Sequence, residues 1–98
     1  MTLQLRLHDD ALRELDDTVD YYEHESPGLG SVFVDEVEAG FARIREHPFA
    51  APEIAPNVHQ LALARFPHTI FYEVRSDFIR ILAIAPQRRR PFYWGGRR

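Results

Sequence analysis

The stretch TIFYEVRSDFIRILAIA at residues 69–85 decides the fold. In its first half Ile70, Tyr72 and Val74 alternate with Thr69, Phe71, Glu73 and Arg75, the period-two signature of a half-buried strand. Arg75, Ser76 and Asp77 make a connection short enough for an antiparallel hairpin. The second half carries Ile79, Ile81, Leu82, Ala83 and Ile84, apolar on both faces, as expected of a strand that is central or covered by helices. A hairpin with one amphipathic arm and one wholly apolar arm needs further strands beside it and a helical layer above it.

Working outward, residues 58–65 read as a third strand, so the strands here span 58–65, 69–75 and 78–85. Upstream, residues 48–56 hold three prolines and three alanines without periodicity, which predicts a loop crossing from helices to sheet. Before it, Leu29, Phe33, Val37, Phe41 and Ile44 recur at helical spacing to about His47, where Pro48 stops the helix. An earlier helix starts near Asp9 with acidic residues in its first turn. It carries Leu12, Leu15, Val19 and Tyr22 inward and ends at Ser26, Pro27 and Gly28. Leu3, Leu5 and Leu7 alternate as a short first strand. The order is β-α-α-β-β-β, an α+β domain over residues 1–98 with a helical hairpin packed on a curled, mainly antiparallel sheet.

Composition narrows the chemistry. Forty-five per cent of the 98 residues are hydrophobic, enough for one core but with a narrow stability margin. Cysteine is absent, which excludes disulfides and thiolate chemistry and fits a reducing cytoplasm. Neither a signal-peptide apolar region nor a membrane-span-length segment is visible. Residues 1–56 carry 13 Asp/Glu against 4 Arg, and residues 57–98 carry 2 against 8, so a net charge of −3 hides halves of −9 and +6. Every one of the 12 basic residues is arginine, which removes lysine as base, nucleophile or Schiff-base former. A zinc ligand set, a phosphate loop and a nucleophilic serine motif are all missing, so no metal or cofactor is expected.

The positive half ends in Arg88, Arg89, Arg90, Pro91, Phe92, Tyr93, Trp94, Gly95, Gly96, Arg97 and Arg98. Crowded arginines repel one another, and a surface that tolerates them usually faces something anionic. Their planar forks suit carboxylate or phosphate, and Tyr93 and Trp94 add stacking faces. Alternatively, part of the run is a solvated tail and Phe92 and Trp94 close the core.

Taken in order, these residues resemble the RelE/ParE toxin superfamily of bacterial type II toxin–antitoxin systems, more closely its ParE or plasmid-stabilisation branch. The resemblance covers nearly the whole chain. It rests on Ala11 to Leu15 with Tyr21 and Tyr22, on the turn Ser26-Pro27-Gly28-Leu29-Gly30 before Phe33, and on Ile44 and Pro48. It continues through Arg65-Phe66-Pro67 into Ile70, Tyr72 and Val74, and closes with Ile81 to Ala85, the arginines, Pro91, Tyr93, Trp94 and Arg97. Two positions depart from the common pattern: Pro86 stands where a histidine often precedes the arginines, and His68 where a tyrosine often follows the Phe-Pro pair.

The resemblance implies a cytoplasmic toxin held in a hetero-oligomer by a cognate antitoxin whose C-terminal segment wraps it. ParE-like members with a known target inhibit DNA gyrase; RelE-like members cut messenger RNA in the ribosomal A site. An inactive toxin remnant would share the same residues. Cleavage through an RNA 2′-hydroxyl needs an acid and a base beside the cations. Arg65, Arg88 and Tyr93 would then serve with His59 or His68, and Glu53 is a further proton acceptor; the commoner role for such histidines is an ordinary strand-edge hydrogen bond. A binding toxin needs only the contact surface, expected at Arg65, Arg88, Arg89, Arg90, Tyr93 and Trp94. An antitoxin helix would use a groove at Leu12, Val19, Tyr22 and Phe33 with Arg65 beside it, although apolar residues at this spacing more often form core.

Overall fold

A computed structural model describes residues 3–98. In chain order it contains β1 (Gln4–Leu7), α1 (Asp9–Glu25), α2 (Leu29–Glu46), β2 (Glu53–Ala55), β3 (Val58–Ala62), β4 (His68–Val74) and β5 (Phe78–Pro86), with a 3-10 turn at Gly95–Arg97. The decisive stretch forms the expected antiparallel hairpin, and the strands lie in the order β1-β5-β4-β3-β2. β1 runs parallel to β5 and every other pair is antiparallel.

Two boundaries differ from the sequence reading. The 48–56 loop contains the short strand β2, which pairs with β3 through Glu53 and Ala55. Three residues framed by Pro52 and Pro56 are too few to show periodicity, and their pairing comes from the partner strand. β3 stops at Ala62, so Arg65 sits in the loop before β4 and not on a strand.

The helical hairpin is tight because Glu23, in the last turn of α1, caps α2. Its carboxylate accepts the N–H groups of Gly28, at 3.0 Å, and Gly30, at 3.1 Å, which otherwise lack intrahelical partners. Gly28 lies at φ 89°, a left-handed conformation that glycine adopts without a Cβ clash. At Gly30 a Cβ would lie 2.9 Å from the Val19 carbonyl oxygen, so the helices approach there through a missing side chain.

One face of the sheet receives the helices. Phe33, Val37, Phe41 and Ile44 of α2 are buried against Ile70, Tyr72, Ile79, Ile81 and Ile84. Each fully buried large side chain contributes about 1.5–3 kcal/mol. α1 contributes Ala11 as its buried residue, with Leu15, Val19 and Tyr22 partly buried, while Leu12 turns outward at 47% exposure.

The opposite face has its own apolar cluster of Val58, Leu82, Ala83 and Trp94. A bulge creates it: Phe71 pairs with Ala83 and Tyr72 with Ile81, so Leu82 is the extra residue and joins Ala83 on this face. β5 is therefore apolar on both sides because helices cover one and the returning C-terminus covers the other.

Candidate functional site

Pro86 closes β5, and the chain turns through residues 86–90, with the Arg89 N–H donating to the Pro86 carbonyl at 3.0 Å. The Gln87 N–H donates to the Pro67 carbonyl at 2.9 Å, which ties this turn to the loop that carries Arg65. From Pro91 onward the chain doubles back across the outer face of the sheet as a strap.

The strap separates the five C-terminal arginines into two groups. β1 ends opposite Ile81, so the β5 backbone beyond it has no strand partner on that side. Glu14 of α1 and Arg97 fill the gap. Glu14 Oε1 accepts the Ile84 N–H at 3.1 Å, and Arg97 Nη1 donates to the Leu82 carbonyl at 3.0 Å. The two side chains also meet in a bidentate pair, Nη1 to Oε1 and Nη2 to Oε2, both at 3.0 Å. The Tyr93 hydroxyl donates to Glu14 Oε2 at 2.7 Å, and Arg97 Nε lies 3.7 Å from Asp10 Oδ2. Arg98 adds a second tie, with Nη2 at 3.1 Å from Glu73 Oε2 and 2.6 Å from the Pro56 carbonyl oxygen.

Arg88, Arg89 and Arg90 remain exposed. Arg89 lies over the Tyr93 ring, 4.2 Å from its centroid. Among the described residues no ion pair engages Arg88 or Arg90. Arg65 is also exposed at its side chain, while its N–H donates to Glu36 Oε1 at 2.8 Å. Arg65, Arg88, Arg89 and Arg90 thus lie exposed at one end of the sheet, while Arg97 and Arg98 are tied to Glu14 and Glu73.

The aromatic members of the predicted contact set are committed elsewhere. Trp94 is 2% exposed, and its ring lies 5.3 Å from that of Phe71, so it plugs the outer cluster and is not an exposed anchor. Tyr93 is half-buried, and burial together with its bond to Glu14 pushes its pKa well above the usual phenol value. The phenol therefore stays protonated, with its hydroxyl proton directed at Glu14.

The proposed acid–base groups do not join the arginines. His59 alternates with Val58 and faces the helical side, where Nδ1 lies 2.8 Å from the Ala51 carbonyl oxygen and the ring stacks on Tyr72. His68 points to the same side, its ring 5.1 Å from Phe33 and 5.9 Å from Tyr22. Glu53 Oε2 accepts the Asn57 N–H at 2.8 Å and closes the β2–β3 turn. In the predicted antitoxin groove Leu12 is open, Val19 and Tyr22 are half-buried, and Phe33 is wholly inside the core.

His68 Nδ1 is buried and has no hydrogen-bond partner among the described residues, and desolvation lowers the pKa of the ring below its ordinary 6.5. Because the folded state disfavours the charged ring, the unfolded chain binds more protons just below that value, and stability falls there with falling pH. The expected slope is at most about 1.4 kcal/mol per pH unit, from the usual His pKa down to the lowered one. Urea midpoints at several pH values test this: the wild-type decline below neutrality should shrink in His68→Phe, and an unchanged decline would remove His68 as its source.

Sequence reasoning missed Glu14 as the centre of the strap network. It read as one more carboxylate on an acidic helix face. The available signal was its place three residues after Ala11, on the buried side of α1, in a chain with surplus arginine at the far end.

A family model described as the ParE toxin of type II toxin-antitoxin system, parDE, matches residues 5–91. Among solved structures, the chain is similar to one described as the chromosomal ParDE TA system from P. aeruginosa. The two share 24% identity over 87% of this chain and 96% of that chain, with a TM-score of 0.75, a likeness of fold. No curated protein matches the chain.

Proposed function

Since the chain belongs to the ParE toxin family of type II toxin–antitoxin systems, we propose that it acts by binding DNA gyrase and that a cognate antitoxin neutralises it. The observation that carries the binding reading is the separation of cations from proton-transfer groups. Arg65, Arg88 and Arg90 sit exposed in loops at one end of the sheet, while the rings of His59 and His68 are buried on its helical face. Such a surface can hold an anionic protein patch through bidentate guanidinium pairs, and neither candidate histidine is exposed beside it to activate a 2′-hydroxyl. The antitoxin would lay an apolar helix along Leu12, Val19 and the exposed edge of Tyr22, with acidic residues reaching Arg65.

The test is supercoiling by purified gyrase in the presence of this chain, with and without the product of the adjacent open reading frame. Inhibition that this product relieves is the expected result. Unimpaired supercoiling, combined with messenger RNA cleavage at the ribosomal A site in a primer-extension assay, would overturn it.

A further inference from the structure

The strap covers only part of the outer sheet face. Beyond Trp94 it leaves a pocket of about 270 Å³ between the sheet and the 86–90 turn. Phe71 forms its floor, Gln60 and Thr69 line the sheet side, and Gln87, Arg90 and Phe92 line the turn side. Gln60 pairs directly with Phe71 in the ladder, and Thr69 lies two residues from it, so all three share this face.

We propose that this pocket binds a nucleotide, with the base seated against Phe71 and Phe92 and the 5′-phosphate held by Arg90. Three observations support this assignment. First, Gln60, Thr69 and Gln87 bring two amides and a hydroxyl to the pocket lining, and among the described residues none of these groups is a buried polar atom left without a partner, so they are open to a ligand. Two amides and a hydroxyl can each both donate and accept, which matches the mixed edge of a base. An aliphatic or phenyl anchor from a partner protein would instead desolvate them without replacement bonds.

Second, Phe92 has φ 58°, a left-handed conformation that costs a side-chain-bearing residue free energy, and the residue is 58% exposed. Neither backbone ease nor core burial accounts for a phenylalanine there; an aromatic platform at the pocket rim does. Third, the unpaired Arg90 beside the opening supplies charge where a phosphate would emerge. The volume falls just below the roughly 300–1,000 Å³ of drug-sized sites, room for a base with its phosphate outside.

The site is read on the chain alone, so its failure and failure of the gyrase reading are separate results. Trp94 is the single tryptophan, with its ring 5.5 Å from that of Phe92, so its fluorescence reports occupancy. The full chain is titrated with adenosine 5′-monophosphate, adenosine, inorganic phosphate, a short single-stranded oligodeoxyadenylate and an acidic phenylalanine-containing peptide. Saturable quenching by the monophosphate is expected, about tenfold weaker for adenosine, with none from phosphate. Tighter binding of the oligonucleotide would identify a nucleotide within a strand as the ligand, and equal binding a free one.

Phe92→Gly should weaken nucleotide binding about tenfold, from lost stacking, while the melting temperature holds or rises because glycine suits that backbone. Absence of saturable quenching by both nucleotide forms would overturn the proposal. So would unchanged affinity in Phe92→Gly, or quenching by the acidic peptide alone.

Discussion

Glu14→Ala is expected to lower the melting temperature by at least about 12 °C, a large shift for a substitution that improves local helix propensity. Glu14 and Arg97 expose only 18% and 14% of their side chains, and the carboxylate serves four donors from three residues. Removing it strands the guanidinium, the Tyr93 hydroxyl and the Ile84 N–H together. Breaking one partner of a buried pair costs about 3–5 kcal/mol. The lower figure applies here because Asp10, 3.7 Å from Arg97 Nε, keeps part of the charge paired. A domain of this size has only about 5–15 kcal/mol in total, and each kcal/mol moves its melting point by about 4–8 °C.

The mechanism predicts more than the size of the loss. The strap should loosen, so Trp94 emission should shift to the red below the melting transition. The paired change Glu14→Leu with Arg97→Met should not restore the parent stability, because the Ile84 N–H, the Tyr93 hydroxyl and the Leu82 carbonyl stay unpaired even though both charges are gone. A drop below about 4 °C with unchanged Trp94 emission would show that the Glu14 network does not hold the strap.

How far the sequence carried the reading depends on the range of the interaction concerned. The β4–β5 hairpin, the two helices and the first strand were legible because their signals are periodic and local. β2 was not, since a three-residue strand takes its conformation from β3. The C-terminal arginines were legible as a basic segment but not as two populations. Whether an arginine is free or tied depends on carboxylates far away in the chain, Glu14 for Arg97 and Glu73 for Arg98. Trp94 shows the same limit. An aromatic beside cations suits an exposed anchor as well as a plug, and the outer apolar cluster that it fills exists because a bulge puts Leu82 and Ala83 on one face. His59 and His68 were plausible proton carriers until strand alternation and burial placed them behind the sheet.

That division makes one double substitution decisive for the binding surface. Arg88→Glu with Arg90→Glu is expected to weaken inhibition of the target by about 10²-fold or more, the scale on which close interfacial charge pairs are coupled. The same change should leave the melting temperature within about 4 °C of the parent, because exposed side chains without partners contribute at most about 0.5 kcal/mol. Both residues are exposed, and the strap is held by Arg97 and Arg98 instead. Arg89 is spared because it stacks on Tyr93, where a change would confuse contact with packing. Measuring supercoiling inhibition and antitoxin affinity on the same preparation separates the partners. If the antitoxin also lays acidic residues on this turn, both affinities fall and the two partners compete for one surface. If only inhibition falls, neutralisation proceeds through the α1 face around Leu12. Inhibition and antitoxin binding that both survive reversal of two charges would remove the turn from the toxin's working surface.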